Sequence, residues 1–570
     1  MLIDRNSRNR CIIFLYYDKD GLVDRYVTGL LDALKSVSSY VLVVVNGYVT
    51  GEGEAELRSH SDSVLVRVNT GFDVGGYREG LFWIGFERLS TFDELVLMNY
   101  TFFAPLFPLQ EMFGEMSGRD LDFWGITKHH DVPTDTTGGR IRYGHIPEHL
   151  NSHFLALRRD FFLSYSYRDF IINMSDPISY EASINEYEAI FTRHFADLGY
   201  KWDVYSNTDA FEGVVYAPFM FEGGELIEKR CPIIKRRLFF GDYFSLLANS
   251  AGESYSDACR ALRELTDYDM SMIWDNLLRL QDLNSVRYAI HESYVVDSEV
   301  SKGKISANEA CVLVIGTKEQ GDFLAGRYLK QIPAECDILY SNEIPQSISE
   351  FGRLFASPDL RKYRYVCVLK LPESAYEDMG STFYGSAESL IGSASQTENT
   401  VQLFRDNPEL GLLVPPLPTF GRHFHEAEDG WHGRYEEVRA VTDALGFTFP
   451  ILRGEMPPVW PAGGSFWVRG SLLMEIFESH EVSDVLSREI RLSDGKNVKP
   501  DFELIMLLLP YLFQSRKQMT GTVTGSHYAS VQLTNLDYEL RENNKVLVEK
   551  IRPGAWWEVL KKLDRIGENV

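Results

Sequence analysis

The sequence lacks the usual signatures of a metal or dinucleotide protein. Its six cysteines are far apart, and several lie in apolar, strand-like runs such as CIIFLYY, CVLVIG and VCVLK. No CxxC or Cys/His metal spacing occurs, so the cysteines indicate reduced core residues and not a zinc site. No GxGxxG or GxxxxGKS/T pattern occurs either, which disfavours an NAD-dependent dehydrogenase and a P-loop NTPase.

The sequence also has little of what binding to a membrane or a nucleic acid would need. No apolar segment reaches the length of a membrane span. The short run CIIFLYY leads into polar YDKDG, which is not typical of a signal peptide. The chain has 57 Lys and Arg against 82 Asp and Glu, a net charge of −25. Because nonspecific binding to phosphate backbones needs clustered basic residues, we expect no nucleic-acid partner. The lack of a signal-peptide pattern and of a membrane span predicts a cytoplasmic location.

What is present is enough apolar material for several folded domains. The 570 residues are 44% apolar and 13% aromatic, which excludes wholesale disorder. Strand-like runs begin at Cys11, Tyr40, Ser63 and Glu94, and helical patterns such as VDRYVTGLLDALKSV lie among them. This alternation predicts an α/β fold with a parallel, doubly wound sheet, whose ligands lie at the carboxyl ends of the strands.

The second half repeats the first half in outline. From Cys311 onwards the apolar runs CVLVIG, CDILYS and YRYVCVLKL alternate with helical patterns, whereas the preceding segment is mostly polar or helical. The four predicted segments are an N-terminal α/β domain at 1–222, a mainly helical connector at 223–309, a second α/β domain at 310–540 and a C-terminal amphipathic helix at 541–570. In the last segment, Trp556 and Trp557 accompany Lys561 and Lys562. That mixture suits either a membrane surface or docking on the helix's own domain.

The most distinctive turn is VNTGFDVGGYREGL, at 68–81, between a strand-like run and a helical pattern. Gly71, Gly75 and Gly76 lie where the backbone must turn tightly or approach something bound. Asp73 can accept hydrogen bonds from sugar hydroxyls, and the following helix offers backbone N–H groups to a diphosphate. Asp and Gly also form ordinary turns, so the residues themselves leave both interpretations open.

Several unusual blocks occur in a defined order along the chain. They are Asn69–Leu81, FDELVLMNYTFFAPLFPLQEMFGEM from Phe92, DFWGITKHH from Asp122, HLNSHFLALRRDFF from His149, NEYEAIFTRHFADLGY from Asn185, CPIIKRR from Cys231 and TDYDMSMIWDNLLR from Thr266. Weaker likeness continues in NPELGLLVPP and PAGGSFWVRGSLL of the second half. Together these blocks resemble the rhamnan synthesis protein F family, bacterial glycosyltransferases of cell-wall and surface polysaccharide assembly, over nearly the whole chain.

The resemblance implies two GT-A-like (Rossmann-like) domains in tandem with a helical connector, the first domain being catalytic. It implies an inverting rhamnosyltransferase that moves L-rhamnose from dTDP-L-rhamnose, or another nucleotide sugar, to a polyprenyl-linked glycan acceptor. Such an acceptor suits peripheral attachment at the inner face of the cell membrane. The alternative is a noncatalytic glycan-binding or scaffold subunit of a polysaccharide-assembly complex.

Inverting transfer needs a carboxylate that takes the proton of the acceptor hydroxyl. In inverting GT-A enzymes an acidic motif late in the first domain supplies it, followed by a helix and a Gly–aromatic pair. Glu186, Glu188 and Gly199–Tyr200 resemble that pattern. The spacing favours Glu188 over Glu186 as the candidate base. The alternative is a pair of surface acids on an amphipathic helix.

The departing nucleoside diphosphate needs positive charge, which GT-A enzymes usually supply through a metal at an Asp-x-Asp motif. At that place this chain has Asn99-Tyr100-Thr101. No metal ligand is therefore predicted, and dependence on Mg²⁺ or Mn²⁺ stays open. The side chains that could offset the diphosphate charge instead are Arg78, Lys128, His129 and His130.

The remaining candidates lie at the ends of strands and in two polar clusters. The donor-binding candidates are Tyr17, Asp18, Asn46, Asn69, Gly71, Asp73, Gly75, Gly76, Arg78, Asn99 and Thr101. The sugar or acceptor candidates are Asp122, Trp124, Gly125, His149, Asn151, Ser152 and His153. Trp124 could stack on a sugar face or belong to the core.

The second half departs from the pattern of an active transferase. Where related domains often show a His–Lys pair, the run VCVLKLPES leaves Lys370 alone. Asp501 and Glu503 in KPDFELIMLLLPYL are acidic candidates, but they also suit the cap of a buried helix. We predict a degenerate or acceptor-guiding domain, with a second active transferase as the alternative.

Overall fold

The computed structural model describes residues 2–134, 139–240, 243–343, 345, 347–372, 382–417, 431–453 and 458–550. The chain divides into two units, one up to Asn276 and one from Leu277. This division does not test the four segment boundaries given by the sequence, which stay a prediction. The tryptophans and lysines of the predicted C-terminal amphipathic helix lie within 551–570, outside the described residues.

Eleven strands lie in the described part of the first unit. They are β1 Arg10–Tyr16, β2 Tyr40–Asn46, β3 Ser63–Arg67, β4 Glu94–Asn99, β5 Phe102–Phe103, β6 Phe123–Gly125, β7 Lys128–His129, β8 His149–Leu150, β9 Phe154–Arg158, β10 Trp202–Val204 and β11 Ile234–Lys235. The helices are α1 Arg25–Val37, α2 Gly51–His60, α3 Phe72–Ile84, α4 Phe86–Leu89, α5 Leu109–Ser117, α6 Arg159–Phe162, α7 Tyr165–Ile172, α8 Tyr180–Ser183, α9 Ala189–Asp197, α10 Pro218–Phe221, α11 Gly223–Glu228, α12 Arg237–Phe240, α13 Tyr243–Ser250 and α14 Ser254–Leu265. A π-helical turn, Ile184–Glu188, precedes α9, and a 3₁₀ turn spans Asp209–Phe211.

Helix α15, Ser271–Leu280, crosses the division between the units. The strands that follow are β12 Ser293–Val296, β13 Ala310–Ile315, β14 Asp337–Ser341, β15 Tyr365–Lys370, β16 Leu410–Val414, β17 Phe466–Arg469, β18 Ile490–Arg491, β19 Asn497–Val498 and β20 Met519–Gly525. The helices are α16 Leu283–Ile290, α17 Lys318–Leu324, α18 Gly326–Leu329, α19 Ile348–Phe355, α20 Pro358–Arg361, α21 Thr382–Ile391, α22 Ala394–Asp406, α23 Tyr435–Ala444, α24 Gly470–Glu478, α25 His480–Ser487, α26 Phe502–Gln514 and α27 Ser526–Lys550, with a 3₁₀ turn at Ala462–Gly464. Among the described helices, none combines the length and the apolar character that crossing a membrane requires.

The first unit is built around a seven-stranded sheet in the order β10-β6-β9-β4-β1-β2-β3. Its neighbouring strands are parallel except at β9, which runs antiparallel to both β4 and β6. The prediction of a parallel sheet is therefore wrong at β9. A parallel neighbour needs a long crossover connection, usually a helix. The chain between β6 and β9 instead forms the short antiparallel pair β7–β8, and β9 returns in the opposite direction.

The second unit has its own seven-stranded sheet, in the order β12-β20-β16-β17-β15-β13-β14. Strand β17 is antiparallel to β15 and β16, and the other neighbours are parallel. Each unit is thus an α/β domain with one reversed strand among parallel ones. The predicted fold class, two α/β domains in tandem, is confirmed.

Helix α3 packs close to the sheet because its glycines carry no side chain. A Cβ atom at Gly80 would lie only 2.9 Å from Cγ2 of Ile13 on β1. A Cβ atom at Gly75 would lie 2.5 Å from the carbonyl oxygen of Thr70, and Gly71 enters the helix with a φ of 69°. These glycines therefore permit the tight turn before α3 and its close contact with the strands.

Glu94, the first residue of β4, is a buried charge at the amino end of the sheet. Arg10 Nε donates to Glu94 Oε2 at 2.6 Å, and Arg158 Nη1 lies 2.9 Å from Glu94 Oε1. The three side chains are at most 2% exposed. Trp124 Nε1 also donates to Glu94 Oε1, at 2.8 Å. Because a buried charge is costly without partners, this cluster ties β1, β4, β6 and β9 together.

Glu94→Gln should destabilise the first unit by about 3–5 kcal/mol, because two buried guanidinium groups would lose their carboxylate. The measurement is urea unfolding followed by tryptophan fluorescence. The matched control is Glu115→Gln, since the Glu115 carboxylate pairs with Arg119 on the surface and is 53% exposed. Its loss should cost less than about 1 kcal/mol. Equal losses in the two variants would contradict the role of the buried cluster.

Candidate functional site

A cavity of about 530 Å³ opens at the carboxyl ends of β1, β2 and β4. The predicted site residues that line it are Tyr17, Asn46, Asn69, Asp73, Asn99, Thr101, His149, Asn151, Ser152, His153 and Glu188. The predicted site residues that do not line it, all of them described, are Asp18, Gly71, Gly75, Gly76, Arg78, Asp122, Trp124, Gly125 and Glu186. The fold thus brings together polar residues that are up to 171 positions apart in the chain, from Tyr17 to Glu188.

A chain of hydrogen bonds crosses the floor of this cavity. Asn99 Nδ2 donates to Asp73 Oδ2 at 2.6 Å, and the Thr101 hydroxyl donates to Asn99 Oδ1 at 2.6 Å. Lys235 Nζ in turn donates to Thr101 Oγ1 at 2.7 Å. Strand pairing explains the last contact, because β11 runs antiparallel to β5 with Lys235 opposite Phe102. The Asn-Tyr-Thr segment therefore links a carboxylate on α3 to an ammonium on β11.

The turn before α3 holds Asp73 at the cavity. Asn46 Nδ2 donates to the carbonyl oxygen of Phe72 at 3.1 Å, and Arg67 Nη2 donates to the carbonyl oxygen of Thr70 at 2.8 Å. The turn interpretation therefore applies to the glycines, whereas ligand binding by Asp73 stays a prediction. The glycines shape the backbone, whereas Asp73 in the first turn of α3 faces the cavity.

Glu188 ends the π-helical turn before α9 and lines the cavity. Its Oε2 accepts from the Ser152 hydroxyl at 2.7 Å, and its Oε1 lies 3.4 Å from the Ser152 backbone N–H. Glu186, on the same turn, is exposed and lies outside the cavity. The geometry therefore distinguishes the two acidic candidates, and π-helical turns are frequent at functional sites.

The histidines of the cavity are held in their neutral forms. Burial lowers the pKa of His129 to about 4, with a further contribution from His149, whose ring stacks on it at 4.9 Å between centroids. Burial also lowers the pKa of His149, although the Glu188 carboxylate opposes this. The pKa of His153 is well below its ordinary value because the ring is buried near Lys235. At neutral pH these rings can donate and accept hydrogen bonds but carry no positive charge.

The cavity contains two carboxylates and a lysine that affect one another. Burial raises the pKa of Asp73, while the hydrogen bond from Asn99 and the charge of Lys235 lower it. Burial lowers the pKa of Lys235 to about 8, while Glu188 and Asp73 oppose the shift. Arg237, an exposed residue, also lines the cavity. The site therefore holds opposite charges, three of them at partly buried positions, where electrostatic interactions are stronger than in water.

Two donor-side candidates have partners elsewhere. Asp18 Oδ1 accepts from the backbone N–H groups of Asp20 at 2.9 Å and Leu22 at 3.2 Å, which is a turn stabilised by its own side chain. Arg78 forms an ion pair with Asp176. Both side chains lie outside the cavity because these local partners hold them.

The segment at 122–125 belongs to the sheet. Asp122 Oδ2 accepts from the backbone N–H of Lys201 at 2.8 Å, and Trp124 is fully buried. A Cβ atom at Gly125 would lie 3.0 Å from Leu150 Cδ2, so the glycine allows close packing. Of the two interpretations of Trp124, the structure agrees with the one in which the side chain belongs to the core.

The end of β4 does not have the donor set of a divalent metal site. Mg²⁺ and Mn²⁺ prefer carboxylate and other oxygen ligands. Here the carboxylate of Asp73 accepts from an amide, the Asn99 oxygen accepts from a hydroxyl, and an ammonium donates to Thr101. Among the described residues no group of three or more His, Cys, Asp or Glu is arranged to hold a metal ion. The residues present do not fit an Asp-x-Asp-type metal.

In the second unit, Asp501 caps α26. Its Oδ1 accepts from the backbone N–H of Leu504 at 2.9 Å and from Arg434 Nη1 at 2.7 Å. Lys370 ends β15, and its Nζ lies 5.4 Å from the ring centroid of Phe502. The structure therefore agrees with the interpretation of Asp501 as a helix cap. Whether this domain is degenerate stays a prediction.

Several cavity residues were not predicted from the sequence. Those from the segment at 217–237 are Ala217, Phe219, Met220, Lys235 and Arg237. The block CPIIKRR contains two of them and carried part of the family resemblance. Its sequence gives no local sign that a two-residue strand brings it to the carboxyl ends of β1 and β4.

Comparisons with individual known proteins show only weak similarity. No curated protein matches the chain. Core-mannan synthase A from Aspergillus fumigatus, in its Mn/GDP form, is 11% identical with a TM-score of 0.24, and the match covers 35% of this chain and 75% of that one. The mannosyltransferase Ktr4p from S. cerevisiae, in complex with GDP, is 8% identical with a TM-score of 0.21, over 32% of this chain and 65% of that one. These scores are too low to relate the sites.

The family comparison covers most of the chain. A family model described as rhamnan synthesis protein F matches residues 41–345 and 310–496. The first match contains most of the cavity, including Asp73, Asn99, Glu188 and Lys235. The resemblance seen in the sequence blocks is confirmed, and the chain belongs to the rhamnan synthesis protein F family.

Proposed function

We propose that this glycosyltransferase moves L-rhamnose from dTDP-L-rhamnose to a polyprenyl-linked glycan, with inversion, in its first unit. The observation that carries the proposal is the position of Glu188, whose carboxylate lines the same cavity as Asp73 and accepts from Ser152. Transfer between two substrates needs a base for one and binding groups for the other in a single cavity. Membership of a family named for rhamnan synthesis supports the choice of sugar.

In the proposed reaction, Glu188 takes the proton of the acceptor hydroxyl. The acceptor oxygen forms a bond to C1 of the sugar while the bond from C1 to the diphosphate oxygen breaks. The electron pair of that bond leaves with the nucleoside diphosphate. The Ser152 hydroxyl holds the carboxylate in place, and general-base assistance of this kind contributes about 10²- to 10⁴-fold in rate.

A small apolar recess beside the two carboxylates supports a deoxysugar donor. Its volume is about 50 Å³, room for roughly one or two water-sized groups. Asp73 and Glu188 help to line it, and the apolar side chains that line it include Leu97, Leu155 and Phe170. A methyl group in place of a hydroxymethyl group on the sugar would fit such a recess without leaving a hydroxyl unpaired.

Exposed apolar side chains close in sequence to residues of the cavity support a lipid-linked acceptor. Ile178 is 96% exposed and Val214 is 80% exposed. They are close in sequence to Tyr180 and Ala217, which line the cavity. Apolar side chains exposed beside a binding site suit contact with a polyprenyl chain or with the membrane surface that holds it.

Glu188→Gln should lower the turnover of dTDP-L-rhamnose with a lipid-linked acceptor analogue by about 10²- to 10⁴-fold, because the amide cannot take the hydroxyl proton. The affinity for dTDP should change little, since the substituted group acts on the acceptor. Turnover is measured by release of dTDP, and affinity by isothermal titration calorimetry.

The matched comparison is Glu186→Gln, two residues away on the same π-helical turn but exposed. It should keep nearly the wild-type rate. Normal turnover in Glu188→Gln would remove Glu188 from the role of base. Wild-type protein that neither transfers the sugar nor binds the nucleotide would favour the alternative of a noncatalytic scaffold.

Asp73→Asn should weaken binding of dTDP-L-rhamnose by about 10- to 100-fold, because a charged acceptor of hydrogen bonds is lost from a partly buried position in the cavity. The measurement is calorimetric titration of the nucleotide sugar. Asp120→Asn is the control, since Asp120 pairs with Lys201 on the surface, where both side chains are more than 60% exposed. A thermal midpoint that falls in Asp73→Asn while affinity is unchanged would indicate a structural role only.

A further inference from the structure

Lys235 is an unusual residue for the floor of a binding cavity. It is half-buried on β11, its Nζ donates to Thr101, and the ring of Phe219 lies 5.8 Å from that nitrogen. Desolvating an ammonium costs free energy unless partners compensate for it. A methionine or leucine would fill the same space without that cost, so the charge requires an explanation beyond packing.

The other basic candidates near the cavity are engaged or neutral. Lys128 pairs with Glu148 at 2.5 Å and with Asp209 at 2.7 Å. Arg78 pairs with Asp176, and the low pKa of His129 leaves its buried ring uncharged at neutral pH. Among the described residues that line the cavity, the lysine and arginine side chains are Lys235 and Arg237.

The place of Lys235 is also the place where a metal would be expected. Its ammonium lies at the end of β4, bonded to the third residue of the Asn-Tyr-Thr segment that replaces Asp-x-Asp. The donor set there does not fit Mg²⁺ or Mn²⁺. A departing diphosphate nevertheless gains negative charge as its bond to the sugar breaks, and fixed positive groups at that point stabilise the transition state.

We propose that the ammonium of Lys235, with Arg237 beside it, binds the diphosphate of the donor and stabilises the leaving nucleoside diphosphate, the role that a divalent cation has in metal-dependent transferases. This inference rests on the proposed transferase function. The bond from C1 to the diphosphate oxygen breaks, its electron pair goes to that oxygen, and the ammonium of Lys235 keeps its proton and stabilises the charge. The chain Asp73–Asn99–Thr101 fixes the position of the nitrogen.

The proposal predicts a particular dependence on pH. The groups that act on Lys235 are Glu188 and Asp73, which favour its ammonium form, and Arg237 and Arg236, which disfavour it. Because burial brings the pKa of Lys235 to about 8, the free enzyme loses this charge as the pH rises through that value. The ratio kcat/KM for the donor should therefore fall above about pH 8, by about tenfold per unit.

The experiment compares Lys235→Met with Lys235→Arg in the full chain, in the presence of EDTA. Lys235→Met should weaken dTDP binding by at least about tenfold and lower kcat by about 10²- to 10³-fold. Lys235→Arg should keep part of the rate. In this variant kcat/KM for the donor should not fall above about pH 8, because the guanidinium stays charged. Lys201→Met, at an exposed surface lysine paired with Asp120, is the matched control.

Several outcomes would overturn the proposal. They are wild-type turnover that EDTA abolishes and Mg²⁺ or Mn²⁺ restores, wild-type affinity and rate in Lys235→Met, and an unchanged pH profile in Lys235→Arg. If thermal melting shows that Lys235→Met does not fold, the pH profile of Lys235→Arg decides. Each of these results leaves the transferase function standing, whereas a wild-type protein without any transfer would overturn that function.

Discussion

The hydrogen bond from Asn99 to Asp73 is the contact on which the arrangement of the site depends. It joins the end of a central strand to the first turn of the helix beside it, at a distance of 2.6 Å. A partly buried carboxylate without such a partner would lose part of its hydration without compensation. The side-chain oxygen of Asn99 accepts from the Thr101 hydroxyl, which in turn accepts from Lys235. One amide side chain thus connects the carboxylate of Asp73, through Thr101, to the ammonium of Lys235.

The two ends of the first sheet use charge in opposite ways. At the amino end, Glu94 is paired by two arginines and a tryptophan and is shut off from water. At the carboxyl end, Asp73 and Glu188 are only partly buried and line a cavity. Removing one partner from a fully paired, buried cluster leaves an uncompensated charge and destabilises the fold. Charges that face a cavity remain available to a ligand, which is the usual arrangement at the carboxyl ends of α/β sheets.

The second unit repeats the strand plan of the first, with different contacts at its acidic candidate. Its reversed strand lies between β15 and β16, as β9 lies between β4 and β6. Yet its acidic candidate Asp501 caps a helix and pairs with Arg434. A shared fold therefore does not establish a shared activity, because function depends on particular side chains placed on the fold.

The resemblance to a known family implied the replacement of Asp-x-Asp by Asn-Tyr-Thr and favoured Glu188 as the candidate base. The sequence by itself determined the α/β class, the buried strands and the turn before α3. These features depend on local patterns, which a short stretch of chain contains in full. Only the tertiary structure decided that β9 is reversed, that Trp124 lies in the core, and that Lys235 contacts Thr101. The last two residues are 134 positions apart, and the pairing of β5 with β11 brings them together. Such contacts follow from strand pairing and burial across the whole fold, which no local pattern of residues specifies.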